Sequence, residues 1–154
     1  MQKSKKDLFF VSLQLLLFLA LIPDLKELAI LFPRFIYPIG IVLLISGVII
    51  VLTALLQLNK NLSPFPTPKT GGHLIQTGLF HYVRHPIYSG IILSAFGLAF
   101  FSGSGSRLLV CFLLYVLFYF KSNYEELKLI QVYPEYIDYK KRTTKFFPKI
   151  NVFR

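Results

Sequence analysis

The apolar residues of this chain fall into four blocks separated by polar segments. Residues 8–22 are apolar except for Ser12 and Gln14, and residues 35–58 carry no charge at all. Residues 86–101 and 107–121 form two further blocks, joined by the turn sequence Ser102-Gly103-Ser104-Gly105-Ser106. Crossing a bilayer core of roughly 30 Å takes about 20 helical residues. The second block meets that length easily, and the last two read as a helical hairpin around their Gly/Ser turn. The pattern predicts an all-α integral membrane protein with four transmembrane helices, near 8–22, 35–58, 86–101 and 107–121. A loop over 59–85 and a cytosolic helical tail over 122–154 complete a single domain, 1–154. Helix four is expected to run on to about residue 132, and Pro134 to open a new helix.

Composition agrees with this reading. Of 154 residues, 55% are hydrophobic and 16% charged, whereas soluble domains carry about 25% charge. The single cysteine, Cys111, excludes an internal disulfide framework and a Cys-rich metal site. The net charge of +10 has two readings, nucleic-acid binding or basic ends on a membrane protein. The placement of the charges separates them. Fourteen of the 17 basic residues fall in residues 1–7, 59–86 and 121–154, and three fall in the two intervening connections. That is the positive-inside pattern, with both termini in the cytosol. Topology accounts for the charge, so nucleic acid is not an expected partner. A short basic start followed by 15 apolar residues also fits a signal peptide, but no small-x-small cleavage site follows it.

The candidate chemistry lies in two separated polar stretches. One is 71–90, containing Arg84-His85-Pro86, and the other is Lys121-Ser122-Asn123-Tyr124-Glu125-Glu126. Each leg of the intervening hairpin is about 17 residues, or about 26 Å of helix. The hairpin therefore returns Glu125 and Glu126 to the depth of Arg84 and His85, at the cytosolic membrane surface. Pro86 suits a first helical turn, whose N–H groups favour an anion, while the two acids favour a cation. A zwitterionic ligand with an amino-acid end matches both. The same placement also allows a plain interhelical Arg84–Glu125 pair. His73, His81 and His85 have no Cys or acid within their segment, and no metal is expected. Pro64, Pro66 and Pro68 exclude a helix. They predict an extended strap over the cytosolic face, either part of a substrate lid or a linker. The tail interleaves Tyr133, Tyr136, Tyr139 and Phe146 with Lys140, Lys141, Arg142 and Lys145, a composition suited to anchoring in the lipid headgroup layer. Glu135 stands apart as an acid just after a helix break.

Arg84-His85-Pro86-Ile87-Tyr88-Ser89-Gly90 resembles the R-H-P-x-Y-x-G core of the isoprenylcysteine carboxyl methyltransferases. The stretch 121–126, then Glu135-Tyr136, Tyr139 to Arg142 and Phe147-Pro148, is similar to that family's C-terminal signature. Phospholipid N-methyltransferases resemble the same core more loosely, and membrane sterol reductases share an Arg-His. The first resemblance implies an S-adenosylmethionine-dependent membrane methyltransferase. It implies that Gly72, His73, Leu74, Ile75, Phe80, Arg84, His85, Pro86 and Tyr88 line the cofactor pocket. Glu125 and Glu126 would include the acid that holds the cofactor's amino group. Lys121, where the family has an Arg, and Arg142 would meet the substrate, with Glu135 and Arg142 as candidate catalytic residues. The implied acceptor is a lipid-like or prenylated small molecule whose carboxylate is methylated. An amine acceptor, as in phospholipid N-methylation, would give Glu135 a general-base role. An NADPH-dependent membrane reductase and a non-enzymatic membrane protein are the remaining alternatives.

Overall fold

The computed structural model describes residues 4–25, 28–61, 63–68 and 71–149, without the side chain of Lys60. Lys3, Lys26, Glu27, Lys69 and Arg154, which enter the charge pattern, lie outside the described residues. The fold is all-helical, with α1 (Lys5–Ala20), α2 (Ile36–Leu58), a 3-10 turn (Asn59–Asn61), α3 (Leu79–Tyr82), α4 (Pro86–Ser102), α5 (Gly105–Val132) and α6 (Tyr136–Arg142). The loop expected over 59–85 thus contains two short helical turns. The end of α5 at Val132 and the new helix after Pro134 lie where the sequence predicts them.

Among the described residues, two helices are long and apolar enough to cross a membrane, α2 with mean hydropathy 3.0 and α5 with 1.4. Only 17% of the most apolar stretch of α2 is buried. A soluble core helix would be mostly covered, so its exposed Ile39, Val42, Ile45, Ile49, Leu52 and Leu56 point to lipid as the surrounding medium. At 16 and 17 residues, α1 and α4 are each about 25 Å long. Contacts at both ends of α1 fix its direction against α5. Near one end of the bundle, Ser4 Oγ lies 2.9 Å from the Tyr124 hydroxyl. At the other, Arg107 donates to the Leu21 and Ile22 carbonyls and to Asp24. Helices α1 and α5 therefore run antiparallel.

Close backbone approach seats α4 on α2. A Cβ on Gly97 would fall 2.3 Å from the Leu44 nitrogen and 2.7 Å from the Gly40 carbonyl oxygen, and one on Gly90 would fall 2.7 Å from the Gly47 carbonyl oxygen. Gly40 and Gly47 on one helix face Gly97 and Gly90 on the other, with a seven-residue interval on each. Small residues let apolar helices pack closely where no hydrophobic driving force exists between them. Asp7, fully buried, starts α1 in a capping box with Ser4.

Candidate functional site

The site forms where α4 begins. Pro86 occupies the first turn of α4. The segment before it is held by the tail, since the Arg84 and His85 N–H groups donate to the Thr144 and Lys145 carbonyls at 2.9 and 3.1 Å. Ser89 Oγ adds a bond to the Phe146 carbonyl. Arg84 also donates to the carbonyls of Lys140 and Thr143. The tail is therefore part of the scaffold. Tyr136, Tyr139 and Phe146, expected as headgroup anchors, are buried.

The hairpin does return the two acids to Arg84 and His85, and it gives them different surroundings. Glu126 is 1% exposed. Its Oε1 lies 3.0 Å from Arg84 Nε and 3.2 Å from His85 Nε2, and its Oε2 lies 2.8 Å from Lys140 Nζ. Lys145 Nζ adds a fourth nitrogen at 3.9 Å. The interhelical partner of Arg84 is thus Glu126 rather than Glu125, because residue 126 is the one that faces inward from α5. Lys140 and Lys145 turn inward to this carboxylate instead of outward to lipid. Burial holds the Lys145 ammonium below its ordinary pKa, against the opposing pull of Glu126. Glu125 is only half-buried. It accepts from the Tyr88 hydroxyl at 2.9 Å and lies 3.8 Å from His85 Nδ1. Tyr88 stacks between His85 and Phe118, at 5.4 and 4.6 Å between ring centres.

A cavity of about 340 Å³ opens beside this cluster, within the range typical of small-molecule sites. Gly72, His73, Leu74, Ile75, Phe80, Arg84, His85, Pro86, Tyr88, Lys121 and Glu125 all line it. Glu126 backs the wall through its contacts to Arg84 and His85. Glu125 is the one acid among the described lining residues. Glu135 and Arg142 do not line the cavity. Glu135 is exposed at the start of α6, and Arg142 is exposed, its guanidinium donating to Gln76 Oε1. Lys121 lines the wall, but its ammonium is engaged by Gln14 Oε1 at 2.6 Å and the Pro64 carbonyl at 3.1 Å. It also sits 5.4 Å above the Tyr88 ring.

The proline strap forms one side of the cavity through residues 63–68. Two lysines of α5, seven residues and therefore about two turns apart, secure it against two residues of α1 at the same interval. Lys121 joins Gln14 to Pro64. Lys128 Nζ donates to Thr67 Oγ1 at 2.7 Å, and that hydroxyl donates to Asp7. The sequence reading missed Asp7, although an acid at the start of an apolar helix is a visible signal. It also missed Tyr136, which lines the cavity.

The cavity thus offers a half-buried carboxylate and an imidazole against an apolar wall, at the end of the bundle where basic residues gather. No curated protein matches this chain. The phospholipid methyltransferase family model matches residues 35–136, from the start of α2 to the first residue of α6. That span covers about two thirds of the chain and contains the paired acids and the Arg84-His85-Pro86 turn. The chain belongs to the phospholipid methyltransferase family, a family of membrane methyltransferases related to the isoprenylcysteine carboxyl methyltransferases.

Proposed function

We propose that this protein is an S-adenosylmethionine-dependent methyltransferase with four membrane-spanning helices, both termini in the cytosol, and a lipid-like acceptor. The observation that carries the reading is Glu125, a half-buried carboxylate on the wall of a cavity in a chain of a methyltransferase family. Family members generally use S-adenosylmethionine, and the donor set fits its polar end. Glu125 suits an ammonium, and the opening turn of α4 suits a carboxylate. Leu74, Ile75 and Phe80 offer apolar surface for a heteroaromatic ring. When bound, the cofactor supplies a methyl group on a sulfonium, so a new acceptor–carbon bond forms as the sulfur–carbon bond breaks and its electron pair stays on sulfur.

The chain's own task is then placement. His85 and Tyr88 hold Glu125 by the contacts described above, and Glu126 fixes Arg84 and His85 in turn. The strap excludes water from one side. We favour the carboxylate of an isoprenylcysteine-like or other amphiphilic acceptor. Such a group is already ionised at neutral pH and needs orientation and desolvation rather than a base. With Glu125 engaged by the cofactor, the described lining residues offer no second carboxylate, and the His85 imidazole is held between Glu125 and Glu126. Arg142, beside the loop that carries Gln76, is the group we assign to meet an acceptor's anionic head.

The family's own description favours a second reading, methylation of a phospholipid amine. Membranes containing the protein, incubated with methyl-tritiated S-adenosylmethionine, separate the two. Label released from extracted lipid as methanol by mild base indicates an ester. Base-stable label in a headgroup indicates an amine. Absence of any protein-dependent label contradicts both.

A further inference from the structure

Two tyrosines on α6 are equally buried, Tyr136 at 1% exposure and Tyr139 at 2%, and both line the cavity. Their hydroxyls differ. That of Tyr139 donates to the Phe80 carbonyl, which ties α6 to α3. That of Tyr136 has no hydrogen-bond partner among the described residues. A buried hydroxyl left unpaired is unfavourable, and native structures rarely keep one without a purpose. Residue 136 directly follows Glu135, the tail residue to which the sequence pattern draws attention. The helix turns Glu135 to solvent and Tyr136 to the cavity. Burial raises the Tyr136 pKa, and Glu126 and Glu125 raise it further. The group therefore stays an O–H donor at any working pH.

We propose that Tyr136 is a ligand-binding residue whose hydroxyl donates a hydrogen bond to an oxygen atom of the molecule that fills this cavity. The oxygen belongs either to the cofactor, on its amino-acid carboxylate or its sugar, or to the polar head of the acceptor. The identity of these ligands rests on the methyltransferase reading, whereas the unpaired hydroxyl does not.

The test compares Tyr136→Phe and Tyr139→Phe in the full chain, purified in detergent. Tyr139→Phe breaks an internal bond, so its ligand-free melting temperature should fall. Tyr136→Phe removes a hydroxyl with nothing to lose, so its ligand-free melting temperature should stay level or rise. Its affinity for S-adenosylhomocysteine, read by calorimetry, should drop roughly tenfold, about the worth of one hydrogen bond. An unchanged affinity with a roughly tenfold rise in the amount of reconstituted host lipid extract needed for half-maximal methyl transfer assigns the oxygen to the acceptor. A lower ligand-free melting temperature for Tyr136→Phe overturns the proposal, as does no change in either affinity. If the wild-type protein binds no S-adenosylhomocysteine and transfers no methyl group, the methyltransferase reading fails. The ligand-free melting temperatures still decide whether the Tyr136 hydroxyl is unpaired.

Discussion

Arg84 and Glu126 meet at 3.0 Å across the mouth of the helical hairpin, with side chains 8% and 2% exposed. Removing one member of a buried pair strands the other, at a cost of about 3–5 kcal/mol. Glu126→Gln should therefore lower unfolding stability by about 3 kcal/mol or more, since His85 and Lys140 lose the same partner. Glu125→Gln, on a half-buried side chain, should cost about 1 kcal/mol or less. Denaturant titrations of both variants in one detergent check the contrast. Equal losses would show that the two acids share one role.

The contact between α2 and α4 depends on absent side chains. Gly97→Val would drive a branched side chain into the Leu44 backbone, 2.3 Å from the position of its Cβ. It should abolish monodisperse protein on size exclusion. Gly71, with φ at +76° and nothing within 4 Å, supplies the control. Gly71→Ala should cost only about 1 kcal/mol of left-handed backbone strain. A well-behaved Gly97→Val protein would contradict the close packing.

Thr67 links α1, α5 and the strap by accepting from Lys128 and donating to Asp7. Thr67→Val keeps the shape and removes both bonds. The strap should then be cut faster by a protease that cleaves within it, and affinity for S-adenosylhomocysteine should weaken several-fold, by about 1 kcal/mol. An unchanged cleavage rate would make the strap a linker rather than a wall.

Glu135 and Arg142 differ in what they can reach. Glu135, exposed and off the cavity, should tolerate Gln with less than about a twofold change in methyl transfer. Arg142→Ala should raise the acceptor concentration needed for half-maximal rate while leaving S-adenosylhomocysteine affinity unchanged, because it removes one charged hydrogen-bonding group worth about 1.5–3 kcal/mol. A large loss in Glu135→Gln would restore that acid to the chemistry.

The sequence made the depth of the site legible through simple helix arithmetic. Equal hairpin legs must bring residues 84–85 and 125–126 together, and the structure does so. It did not show which acid faces inward, since Glu125 and Glu126 are adjacent on α5 and differ only in rotation about its axis. Nor did it show that Lys140, Lys145, Tyr136 and Tyr139 fold back over the site. Aromatic and basic residues near a membrane suit the headgroup layer by composition alone, and only tertiary contact tells the two placements apart. The glycine intervals on α2 and α4 were visible, but pairing them requires knowing which helices touch. The role of Asp7 is not legible in the sequence because its partners, Thr67 and Lys128, are distant along the chain.

The proposed anchoring of a cofactor by Glu125 in this cavity is open to equilibrium binding. Purified wild-type protein should bind S-adenosylhomocysteine saturably and NADPH not at all. Glu125→Gln should weaken that binding at least about tenfold, the worth of a charge-assisted hydrogen bond, while the protein keeps its fold. Unaltered S-adenosylhomocysteine binding by Glu125→Gln, or saturable NADPH binding by the wild type, would rule out that role for Glu125.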